Sequence, residues 1–94
     1  WTPDVGLSIA VQSYQISIWG PTAADVSIWF GGSADTTFTR GTDKSIFDAR
    51  YVPGKDSPFY NSESGIWKGA ADQVLRITSS AAVNVNITVW GYEF

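Results

Sequence analysis

The stretch QVLRITSSAAVNVNITVWGYEF, Gln73 to Phe94, decides the fold. Leu75 and Ile77 share one parity of its first half, and Val83, Val85, Ile87 and Val89 share one parity of its second. Alternation with a period of two is the pattern of a strand with one face in a core and the other outside it. Between the two runs, Ser79, Ser80, Ala81 and Ala82 offer little to bury and have the length of a hairpin connection, so the spacing predicts two strands joined by a short turn. The opposite parity of the second strand carries Asn84, Asn86, Thr88, Trp90 and Tyr92, polar at its start and aromatic at its end. One face belongs to a core, and the other is available to something else.

Strand patterns recur upstream of this stretch. From Leu7 to Trp19 the phase changes: Ile9 and Val11 agree with each other, whereas Tyr14, Ile16 and Ile18 hold the other parity, which calls for a bulge near Gln12 and Ser13. Gly20, Pro21 and Thr22 then mark a turn, and Val26, Ile28 and Phe30 alternate with Ser27 and Trp29 before Gly31 and Gly32 end the run. Asp35 to Arg40, Thr-rich around Phe38, reads as a short edge strand. Residues 1–6 form an N-terminal arm whose Trp1 packs on a neighbour, in the same chain or another. Residues 41–72 read as a loop-rich insertion, with Pro53, Pro58 and four glycines and short extended pieces only at Ser45 to Tyr51 and Gly65 to Lys68. The expected fold is one all-β domain spanning residues 1–94, an antiparallel, jelly-roll-like β-sandwich with long irregular loops. Its core would combine the aliphatic parity of Gln73 to Phe94 with Ile16, Ile18, Val26, Ile28 and Phe30.

Composition narrows what such a domain does. A net charge of −3, with Arg40, Lys44, Arg50, Lys55, Lys68 and Arg76 scattered along the chain, lacks the basic footprint that nucleic acid or an anionic membrane surface requires. No apolar run approaches the roughly 20 residues of a bilayer-spanning helix. His and Cys are both absent, which removes the usual general base, proton shuttle, thiolate nucleophile and zinc ligands. Asp43, Asp48, Asp56, Glu63 and Asp72 show neither a spacing that singles out a catalytic pair nor a calcium-loop pattern, so they read as solvated loop charges. The Gly31–Gly32 pair lacks the spacing of a phosphate loop, and Asn86-Ile87-Thr88, a glycosylation triplet by sequence, falls in mid-strand. The expectation is therefore a protein that is not an enzyme and needs no cofactor or metal.

The aromatic content is what remains. Five Trp in a chain of 94 residues exceed the needs of so small a core, and flat amphipathic rings serve protein interfaces and sugar-binding modules alike. A domain of this size without disulfides or metal often leans on oligomerisation.

The segment from Gly69 through Gln73-Val-Leu-Arg-Ile-Thr78, the Ser-Ser-Ala-Ala turn and the Val83-to-Val89 strand closing on Gly91, Tyr92 and Glu93 resembles the end of small accessory β-proteins of tailed bacteriophage virions. Tyr14 to Trp19, followed after a turn by Val26 to Phe30 and a Gly pair, is similar to their opening strands. The resemblance implies a capsid cement or decoration protein on the virion surface, an oligomer that binds the major capsid protein or another virion protein and its own copies. Contacts are then expected at Trp1, Arg50, Tyr51, Tyr60 and Trp67, aromatic and Arg residues of the arm and the 41–72 region of the kind that dominate interface energetics. The alternative is a carbohydrate-binding module in which exposed Trp rings stack on a glycan.

Overall fold

The computed structural model describes residues 1–20, 22–52, 59–62 and 65–94, with residues 50–52 and 59 described by backbone alone. Among these, seven strands follow one another along the chain: β1 (Ile9–Trp19), β2 (Ala24–Gly31), β3 (Lys44–Val52), β4 (Phe59–Ser62), β5 (Trp67–Lys68), β6 (Val74–Ser79) and β7 (Asn84–Glu93). They form two antiparallel sheets packed face to face as a small β-sandwich. In sheet A, β1 is central, with β7 on one side and β4 and β5 end to end on the other. In sheet B, β2 is central, between β3 and β6.

The two central strands supply the middle of the core. Ile9, Val11, Ile16, Ile18 and Val26 are wholly buried, and Ile28 and Phe30 nearly so. The phase change in β1 is resolved by a bulge: the pairing with β7 slips between Val11 and Ser13, leaving Gln12 exposed, so that Val11 and Tyr14 both face inward. Tyr14 hydrogen-bonds the Ile46 carbonyl (3.4 Å), and burial raises its phenol pKa. A raised acid favours the folded state fully below its ordinary value of 10.0, and that contribution is lost as pH climbs through the folded value.

Four expectations are corrected by this arrangement. First, β6 and β7 are not a hairpin: β6 pairs with β2 in one sheet and β7 with β1 in the other, so the Ser-Ser-Ala-Ala segment carries the chain across the core. Strands facing each other across a sandwich put the same parity inward as strands of one hairpin would, so alternation cannot separate the two. Second, Asp35 to Arg40 is loop. Both edges of β2 are taken by β3 and β6, and residues 33–43 instead cross the outside of sheet B, where Phe38 meets Trp29 at 5.8 Å between ring centres. Trp29, on the parity opposite to the core, is consequently fully buried and donates Nε1–H to Thr78 Oγ1 (3.2 Å). Third, the 41–72 region holds more strand than expected: β3 and β5 fall on the two extended pieces anticipated at Ser45 to Tyr51 and Gly65 to Lys68, and β4 is added between them, so that the three build one flank of the sandwich. Fourth, Ile77 stands 41% exposed although Leu75 is buried; Val83, Val85, Ile87 and Val89 are only half-buried against the core.

The last correction has a geometric cause. Tyr14, Phe47 and Tyr60 interlock, with ring centres 6.2 Å apart for Tyr14–Phe47 and 4.8 Å for Phe47–Tyr60, and so β3 lies over the β4/β5 side of sheet A. That leaves β6 facing β7, and this side is furnished with small aliphatic residues and no aromatic layer. A core closed on one flank and thin on the other is the result.

Candidate functional site: the β6–β7 side

Trp1 shows what this side accepts. The Leu75 N–H donates to the Trp1 carbonyl (2.9 Å) and the Trp1 ammonium donates to the Leu75 carbonyl (3.0 Å), so the arm adds one residue of strand pairing to the outer edge of β6. Its indole Nε1–H reaches Glu93 Oε1 at 2.9 Å, and Glu93 Oε2 accepts from the Asp4 amide at 3.2 Å, tying the arm to the end of β7. The Gly6 amide donates to Asp72 Oδ1 (2.6 Å), with Asp72 itself at a left-handed φ of 62°. The arm therefore packs on its own chain and closes one end of the gap between β6 and β7. Trp1 nonetheless keeps 43% of its surface exposed.

Beyond Leu75 the gap is open. Among the described residues, no strand pairs with the outer edge of β6 past this point or with the outer edge of β7. Ile77 is exposed there and Val83, Val85 and Ile87 are half-buried against the core, and a shallow hollow runs along the outer edge of β6 from Trp1 and Thr2 past Ile77 to Thr78, bounded on the sheet B side by Thr36. Between Arg76 and Glu93 the chain has no charged residue. Arg76 does not guard the edge either, because its guanidinium is turned to the Gly32 and Ser33 carbonyls (3.4 and 2.6 Å). Natural sheet edges are ordinarily blunted by Lys, Pro or bulges, and an unblunted one is a template for another chain.

The other residues anticipated as contacts divide. Tyr60 and Trp67 are half-buried and pack against the core, Trp67 with Tyr14 at 5.5 Å between ring centres and Tyr60 with Phe47. They wall the closed flank rather than stand out from it. Arg50 and Tyr51 belong to β3 by backbone, and their side chains lie outside the described residues, as do Asp56 and Glu63. Truncating Trp67 to Ala is expected to lower stability by about 2–3 kcal/mol, somewhat below the range for a fully buried ring, as read from denaturant midpoints at unchanged slope.

A second concavity, about 340 Å³, lies between the 33–43 loop and the outside of sheet B, lined by Asp25, Ser27, Phe38, Arg40, Thr78 and Ser79 among others. Its ionic groups serve each other: Arg40 makes a bidentate pair with Asp48, a hydrogen bond that raises the guanidinium pKa, and Asp48 also accepts from Ser27 Oγ (3.1 Å). Arg40 is exposed, so this pair fastens the loop without adding much stability. No group of three or more acidic residues capable of holding a metal occurs among the described residues.

Trp19 and Trp90, both exposed, belong to the rings that the sequence offers to an interface or a sugar, whereas Ile77 reads there as core and was not anticipated as a contact. The available sign was the charge-free run between Arg76 and Glu93, which on a β-strand is unusual for an unpaired edge. Comparison with protein-family models, with curated proteins and with solved structures finds no match to this chain.

Proposed function

We propose that this chain is a virion structural protein, a cement or decoration protein of a tailed-phage capsid that joins the major capsid protein and its own copies through the β6–β7 side. One observation carries the reading: among the described residues, the outer edge of β6 beyond Leu75 and that of β7 have no strand partner, carry no charge from Ile77 to Tyr92, and flank a seam of partly exposed aliphatic residues. Strand addition there gives a partner main-chain hydrogen bonds from the edge and burial of alternate side chains in the seam. The same contact completes the thin flank of a domain that has no disulfide to staple it. The resemblance of the strand pattern to phage accessory proteins sets the kind of partner.

The experiment is co-sedimentation of the purified chain with empty capsid shells assembled from tailed-phage major capsid protein, with light scattering of the chain alone. Wild type is expected to self-associate and to bind shells saturably. Ile77→Lys places a charge in an exposed position, so its thermal unfolding should stay within about 0.5 kcal/mol of wild type. Binding should fall by about 2 kcal/mol, near thirtyfold, the scale of an interface hot spot. Equal shell binding by Ile77→Lys, or no binding by either protein, contradicts the proposal.

A further inference from the structure

We infer that the outer face of sheet A is a second binding surface, for a neutral oligosaccharide chain. The β1–β7 register builds it: Trp90 stands beside Ser13, Thr88 beside Gln15, Asn86 beside Ser17 and Asn84 beside Trp19. Trp90 is 46% exposed and Trp19 41%, one near each end of the face. Six residues of strand separate their positions, ~20 Å at the rise of a β-strand. Neither ring is covered by a loop as Trp29 is on the outside of sheet B.

What lies around and between the rings sets the ligand class. A shallow depression of about 360 Å³ beside Trp90 is lined by Gln12, Ser13, Gln15 and Asn61. The β1 bulge creates it in part, since the extra residue sets Gln12 next to Ser13 at the indole. Along the face toward Trp19, every side chain that β1 and β7 contribute is a hydroxyl or a carboxamide, and none is charged, although the chain as a whole carries −3. Nucleic acid and acidic polysaccharide require a cluster of cations, and among the described residues this face carries one, Lys68 of β5 beside Ala10, whose ammonium lies over the Phe94 ring at 5.2 Å. A protein partner buries an apolar centre within a polar rim; here the middle that β1 and β7 supply is polar, with Trp19 at one end and Trp90, Tyr92 and Phe94 at the other. A pyranose chain matches it, with C–H faces to stack on the indoles and hydroxyls for the amides. Charge match, ring placement and length point to an extended neutral glycan of several sugars. This surface is distinct from the β6–β7 seam, so either can fail without the other.

The test is titration of the whole chain with cellohexaose, maltohexaose, laminarihexaose and chitohexaose, followed by Trp fluorescence and calorimetry. Saturable binding to at least one hexasaccharide is expected, weakened tenfold or more by Trp90→Ala. Trp19→Ala should weaken the hexasaccharide and leave the corresponding disaccharide unchanged. Both rings are exposed, so melting curves of the variants should overlay wild type; Gln15→Ala, with no ring removed, should lower affinity severalfold as an independent check. No saturable binding across the panel overturns the inference, as does binding that the Trp90→Ala, Trp19→Ala double variant retains. Loss of shell binding in that double variant, without glycan binding by wild type, would reassign the face to protein contact.

Discussion

Replacing Ile16 by Asp is expected to leave no cooperatively folded protein. Ile16 is wholly buried in the middle of β1, in register with Tyr60 of β4 on one side and Ile87 of β7 on the other. A carboxylate there has no cation within the core to pair with among the described residues. An unpaired buried charge costs several kcal/mol, against a total stability of about 5–15 kcal/mol for a domain. Far-UV circular dichroism with thermal scanning reads the outcome. Ile16→Val at the same position should cost only about 1 kcal/mol and keep a sharp transition, separating charge burial from mere volume loss. A folded Ile16→Asp variant would remove β1 from the core. The same change at Val85 is expected to be milder, because Val85 is half-buried at the open seam and an introduced carboxylate can turn toward water.

Gly91→Ala is expected to have the next largest effect. Gly91 pairs with Val11 just before the β1 bulge, and a Cβ built there would run into the backbone carbonyl of Ala10. Main chain cannot swing aside as a side-chain tip can, so β7 must be pushed off β1 or the bulge must reform. Overpacking of this kind costs typically 1–3 kcal/mol, and the upper end is expected here. In a domain of this size each kcal/mol lowers Tm by roughly 4–8 °C, well within the reach of a calorimeter. Gly32→Ala is the control, since a Cβ there meets nothing within 4 Å. Equal melting temperatures for the two variants would contradict the register assigned between β1 and β7.

How much of this was legible in the sequence depends on what periodicity measures. The inward parity of β1, β2 and β7 and the bulge at Gln12 and Ser13 follow from alternation, because the pleat forces alternate side chains to opposite faces. Which strand pairs with which does not follow, since Leu75 and Val85 turn the same parity to the core whether they share a sheet or oppose each other. The 33–43 loop escaped for a related reason: Phe38 among threonines has strand composition, but β2 has no free edge to offer it. Ile77 and Leu75 are equivalent by sequence and differ in exposure because Trp1 pairs at Leu75 and, among the described residues, no strand pairs beyond. Tyr60 and Trp67 drew attention as aromatic residues in an irregular region, and the structure spends both rings on the closed flank. The candidate seam and the polar stretch between Trp90 and Trp19 were legible only as a run without charge, whose meaning required the topology.

The claim that the β6–β7 side is a subunit contact is tested most directly by amide hydrogen exchange of the chain, free and bound to capsid shells. The account predicts that exchange slows on binding in Ile77 to Val89, at amides on the outer edges of β6 and β7, while β3 and β4 on the closed flank are unchanged. Protection confined to β3, β4 or the 33–43 loop, with β6 and β7 exchanging as in the free protein, would contradict it.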